Sequence, residues 1–398
     1  MLKIYGVNGM NRIAIKMRSL VWLLTLLTMV SLLAGCVTTE TTNKPAKPVF
    51  FPPAPQLPRF QFLRGFSGPN DFKKKKSGLD AFLSGASQNP MAKFKKPYGV
   101  NMSHGVIYVA DTVTTVWKMD LVHNAFSSLQ GDRGMGKIVQ PINIAIDDQG
   151  NKYVADVLRG AVVKYDKHDM YVKAYSIPGS WRPVDAEVYG DKLYVADSTH
   201  DKGGVRVFDI KSGELVDTIG MSGPPEQRLR IVANIAFDKD GYLYATDVGR
   251  FQIVKYDRDG HYRGALGEVG SSPGHFGRPR GLAIDRDGRI YAVDAAFDVV
   301  QIFSPNGQML GILGGPGTSP GTLTLPAGIC INYDDVDLFK DYIAPGFNVE
   351  YLVLVTSQFH DTNCVSVYGF GKMEGKKYPS DLKLVDEVKE ELRKKESR

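Results

Sequence analysis

Between Tyr98 and Tyr368 short apolar runs alternate with Asp- and Gly-rich turns, and the order of these pieces repeats six times. The clearest piece is an almost wholly apolar run that ends on an acid: Val106–Asp111, Lys152–Asp156, Leu193–Asp197, Leu243–Asp247 and Ile290–Asp294, with a degenerate Tyr351–Thr356 as the last copy. Before each lies a run introduced by a proline or its equivalent, such as Pro141–Asp147 or Pro279–Asp285, and between them a tight turn such as Asp238-Lys239-Asp240-Gly241 signals a hairpin. A third run follows, as in Ile253–Tyr256, and then a fourth that ends in glycine, as in Met309–Gly314. Runs this short, rich in β-branched and aromatic residues, argue for strands and against helices. The unit returns about every 41–50 residues, which suits a four-stranded blade, so the pattern predicts an all-β, six-bladed β-propeller.

The stretch Gly274-His275-Phe276-Gly277-Arg278-Pro279-Arg280-Gly281-Leu282-Ala283-Ile284-Asp285, continued through Asp294 to Val300–Phe303, resembles a complete NHL repeat. The resemblance covers residues 97–370, is strongest in the fifth copy, and implies a propeller of the NHL type. The sixth copy lacks an outer strand of its own, whereas Phe60–Gly68 reads like the outer strands of the others. The N-terminal strand is therefore expected to close the last blade and leave no open radial edge. Beyond residue 371 a charged tail, 372–398, carries Leu384, Val388 and Leu392 at a spacing that predicts a short C-terminal helix.

The chain begins with Arg12, Lys16 and Arg18, then an uncharged apolar run from Ser19 to Leu32, then Leu33-Ala34-Gly35-Cys36. This is the layout of a secretory signal, residues 1–35, with Met10 and Met17 as alternative starts to Met1. Its last four residues resemble a bacterial lipobox, which implies a lipoprotein lipidated at Cys36. Acyl chains such as palmitate contribute about 0.8 kcal/mol per buried methylene, so two or more anchor a protein almost permanently. Val37 stands where lipoproteins kept at the inner membrane carry Asp, so the resemblance implies the outer membrane. Residues 36–58 are Thr- and Pro-rich and read as a tether able to reach about 70 Å at ~3.1 Å per residue. The propeller then occupies residues 59–371.

Loss of the signal removes four basic residues and lowers the net charge from +6 to +2, which gives no case for nucleic acid. Cys330 and Cys364 are the only later cysteines and fall two strands, about 9–10 Å, apart, too far for a relaxed disulfide. No Cys-x-x-Cys-His occurs, which excludes covalent haem. A basic insertion, 69–96, holds Lys73, Lys74, Lys75 and Lys76 among phenylalanines and is a candidate patch for an acidic protein, glycan phosphate or lipid headgroup. An Asp-rich lengthening at 332–350 is expected on the opposite face, making a dipolar particle.

Three consecutive copies replace the usual inner-strand glycine by Asn143, Asp185 and Asn234. In gluconolactonase-type propellers such groups hold a divalent cation, and their oxygens would suit Ca²⁺ or Mg²⁺; the same groups serve equally to bond channel waters and neighbouring backbone. Arg159, Arg250 and Arg280 fall on the same channel-mouth face and either recognise an anionic group or pair with the repeated aspartates. His200, His275 and His360 share that face. The amidating lyases of the repeat family hold zinc there by histidine, whereas solvated loop histidines explain the pattern without a metal. Asp111, Asp156, Asp197, Asp247 and Asp294 recur too evenly for catalysis and are expected to accept backbone hydrogen bonds in the following turn. The reading that follows is a membrane-anchored, non-enzymatic propeller scaffold that binds an envelope protein or anionic polymer, with no required cofactor. The alternative is a metal-dependent hydrolase or lyase working at the channel mouth.

Overall fold

The computed structural model describes residues 47–72, 94–179, 181–360 and 362–380. Five four-stranded antiparallel sheets and one five-stranded sheet account for every described strand. Blade one comprises Pro97–Ser103, Val106–Asp111, Val116–Asp120 and Ala125–Ser128, and blades two to five repeat its inner-to-outer order from Pro141, Pro183, Val232 and Pro279. Blade six runs from rim to axis as Val49–Phe51, Phe60–Phe66, Val365–Met373, Phe347–Ser357 and Pro326–Asn332. Its outer strands are thus N-terminal and its inner ones C-terminal, the closure expected from the sequence. Each inner strand touches the next, and Pro326–Asn332 touches Pro97–Ser103, so the ring is shut.

The pleat explains why the second strand of each blade is apolar throughout. Its side chains alternate between two faces, and in a radial stack both faces meet a neighbouring sheet. Six buried clusters result, one per blade interface. The closing strand obeys the same rule, for Phe60 and Phe62 pack between blades five and six while Leu63 and Phe66 pack between six and one. Gln61, buried on this strand, donates to Tyr342 O at 2.7 Å and accepts from Ala344 N at 2.9 Å. The Asp-rich lengthening, with a 3-10 turn at Val336–Tyr342, is thereby held beneath the closing strand, and it lies in the connection opposite the channel mouth as expected.

Two segments differ from the sequence reading. Val49–Phe51, at the end of the expected tether, pairs with Phe60–Phe62 as a fifth strand, and Phe50 and Phe51 meet Phe347 and Tyr368 edge-on. Tyr378, at the start of the tail, donates its hydroxyl to Pro58 O and sits under the Arg59 guanidinium. The signal segment, Cys36, Lys73 to Lys76 and the Leu384–Leu392 stretch lie outside the described residues. Among the described residues the helical pieces are four short 3-10 turns, and no helix is long and apolar enough to cross a membrane.

Candidate binding site at the channel mouth

The five repeated aspartates are fully buried and fix the geometry of the mouth. Each stands at the end of a second strand and accepts N–H groups from two loops at once. Asp156 takes Val139 and Gln140 before the inner strand and Arg159 in the following turn; Asp294 takes Gly277 and Arg278, then Ala296. The following-turn bonds were expected; those to the preceding loop were not legible, because they join residues 15–17 positions apart. Both loop sets of a blade therefore form one face. In blade six Ser357 takes the place of the aspartate and accepts from Thr324 N.

Behind this rim the inner strands are stitched together at one level, occupied in turn by Gly99, Asn143, Asp185, Asn234, Gly281 and Gly328. Where glycine stands, neighbouring backbones approach so closely that a Cβ on Gly328 would lie 2.3 Å from Tyr98 O and one on Gly281 2.5 Å from Ala327 O. Where a polar residue stands, its side chain spans the interface instead. Asn143 donates to Asp185 at 2.6 Å, Asp185 accepts from Ile235 N at 2.8 Å, and Asn234 accepts from Leu282 N at 2.7 Å.

These bonds bear on how well the three residues could gather a cation. Ca²⁺ or Mg²⁺ gathers six or more oxygens around itself. Here Asn143, Asp185 and Asn234 supply one carboxylate, and its two oxygens face opposite blade interfaces, so the set does not fit such an ion. Nor are the histidines gathered. His200 pairs with Asp201 at 2.7 Å, His275 with Glu268 at 3.0 Å, and buried His360 accepts Asn363 N within its own turn. Among the described residues only Asp257, Asp259 and His261 bring three ligand-type atoms together, in an outer turn where Asp257 already binds Arg263.

Two steps along the inner strand from Asp185 stands Glu187, near enough to Cys330 on the inner strand of blade six, across the ring, to act on its thiol. Glu187 is surrounded by protein yet keeps part of its surface accessible. Burial pushes the Asp185 carboxyl up to about 7, against the pull of its hydrogen bonds, and burial together with Asp185 pushes Glu187 well above the usual carboxylate range. Burial, then Glu187, likewise raises the Cys330 thiol, so it is not a reactive thiolate.

The three arginines divide. Arg159 donates to Lys137 O and Met135 O, both at 2.7 Å, and Arg250 donates to Glu226 O at 2.6 Å and to Pro225 O, each clamping the 3-10 turn before an inner strand. Arg280 instead lies on an inner strand and reaches over Ala327 to give one N–H to the Tyr98 hydroxyl at 2.9 Å.

Around the rim, Val113, Met135, Val139, Leu158 and Phe359 are 52–73% exposed on mouth loops of the consecutive blades six, one and two, and Val269, 66% exposed, stands apart from them on the loop that leads into blade five. The feature went unread in the sequence because single apolar residues in turns have no periodicity.

The fold and its site thus define an all-β six-bladed propeller with a polar-stitched channel and a rigid, partly apolar mouth face. Among solved structures it is similar to a gluconolactonase from Xanthomonas campestris, with a TM-score of 0.52 at 15% identity over 82% of this chain and 96% of that one. A Bacteroides thetaiotaomicron protein of unknown function gives 0.53 at 16% identity, over 78% of this chain and 75% of that one. At such identity the likeness is one of fold alone. No family model matches the chain, and no curated protein matches it in sequence.

Proposed function

We propose that the protein is a non-enzymatic binding propeller, tethered to the outer membrane through a lipidated Cys36, which holds an envelope protein on its channel-mouth face. The observation that supports this best is the arc of exposed apolar side chains on loops whose backbone is fixed by buried aspartates or, for Phe359 in blade six, by buried His360. Isolated exposed apolar residues are ordinary, but several on adjacent rigid loops favour a protein interface. Rigid loops also bind without a large ordering cost. Most residues with catalytic potential, Glu187 apart, are meanwhile spent on structure: the aspartates on loop N–H groups, Arg159 and Arg250 on carbonyls, and Asn143, Asp185 and Asn234 on blade-to-blade bonds.

Leu158→Glu combined with Phe359→Glu tests the reading. The double variant should melt like the parent and lose its specific envelope partner on co-purification from solubilised membranes; an unchanged set of co-purifying proteins would refute it. A second reading, hydrolysis, is favoured by one observation: Glu187 stands two positions from Asp185 on the inner strand, and the Asp185 carboxyl, raised to about 7, suits general acid–base chemistry near neutral pH. Turnover of gluconolactone or a simple ester by the purified protein, abolished in Glu187→Gln, would establish it in place of the scaffold.

A further inference from the structure

We infer that Arg280 and Tyr98 form a receiving site for a carboxylate at the centre of the channel mouth. The inference rests on the binding reading and names the chemistry that the mouth accepts.

A guanidinium stays charged at every physiological pH, so a partly buried one needs a counter-charge or a full set of acceptors. At several other arginines of the described chain that need is met. Arg206, Arg263 and Arg289 pair with Asp197, Asp257 and Asp285, and Arg228 and Arg258 hold backbone carbonyls. Arg280 has neither. Its Nη1 donates to the neutral Tyr98 hydroxyl, while its Nε is buried with no acceptor among the described residues. Arg64 has a similarly unpaired Nε, but it lies against the faces of Phe66 and Tyr342 on the closing strand, away from the axis.

The free groups have a definite place. With Nη1 engaged and Nε closed off by the surrounding protein, Nη2 is the N–H group left to meet a carboxylate oxygen, and the Tyr98 hydroxyl, which accepts from Nη1, keeps its own proton to donate beside it. The corresponding positions on the other inner strands are Tyr98, Ile142, Val184, Ala233 and Ala327, so no acid competes at this level. The nearest acid on the next level, Asp185, already accepts from Asn143 and Ile235.

Such a carboxylate has two sources, a free small acid or the terminus of a bound peptide. Thermal melts of the full chain in detergent, at constant ionic strength with chloride as reference, separate them. The probes are acetate, succinate, an uncharged N-acetylated peptide with a free C-terminus, and the same peptide amidated. A saturable rise in Tm with at least one free carboxylate, and none with the amide, is expected. Response to the small acids alone assigns a metabolite-type ligand; response to the peptide alone assigns a chain terminus. Arg280→Lys, which keeps the charge but loses the planar guanidinium that reaches the Tyr98 hydroxyl and the ligand at once, should weaken the effect by about tenfold, and Tyr98→Phe by about threefold. No saturable response to any carboxylate in the parent, or an undiminished one in Arg280→Lys, would overturn the site. Leu158→Glu with Phe359→Glu, outside the channel, should leave the carboxylate response intact, so failure of the partner reading remains distinct from failure of this one.

Discussion

Asp169 shows how much a single side chain contributes to the blade interfaces. Its carboxylate, 5% exposed, lies 2.8 Å from the Lys152 ammonium, which is 4% exposed, and also binds Lys118 of blade one. Removing one member of a buried ion cluster leaves the others uncompensated, so Asp169→Ala should lower the unfolding free energy by about 3–5 kcal/mol, read as a fall in the urea midpoint. The channel carboxyls act through pH instead. Because Asp185 holds its proton more tightly in the folded chain than in the unfolded one, its contribution is complete below about pH 4 and is lost as the pH rises through about 7, and Glu187, whose proton is held more tightly for the same reason, adds a loss in the same direction. Glu187→Gln should therefore flatten the decline of Tm toward higher pH; an unchanged slope would contradict the assignment. At this scale the sequence was legible wherever a residue acts on its own neighbourhood. The repeated aspartates read correctly because half of their bonds go to the next turn, whereas Arg159, Arg250 and Arg280 looked alike because carbonyls distant in sequence decide which of them is spent.

The strands themselves were legible for a stronger reason: burial on both faces forces continuous apolar runs, and the hairpin turns between them have their own Asp/Gly chemistry. The closing strand was found by the same logic, since its alternation serves two interfaces. Its four buried side chains, Phe60, Phe62, Leu63 and Phe66, are worth about 1.5–3 kcal/mol each, together comparable with the roughly 5–15 kcal/mol that holds a whole domain folded. Deleting residues 59–68 should consequently abolish the cooperative thermal transition, and a normal melt would disprove the closure. Val49–Phe51 escaped notice because three residues between prolines carry no period; its register is set by the partner strand and by Phe347 and Tyr368.

In the whole molecule, the ring converts six weakly differing blades into two distinct faces. One has the acidic lengthening of blade six, and the other joins a fixed apolar arc to an uncompensated arginine at the axis. That asymmetry was only half visible in the chain, where acidic runs stand out but an exposed Leu158 or Phe359 does not. The most direct test places a photo-crosslinking residue at Leu158, at Phe359 or at Leu338 on the opposite face and irradiates intact cells. The account predicts the same single protein adduct from Leu158 and Phe359 and none from Leu338; equal adducts from all three positions, or none from the mouth, would contradict it.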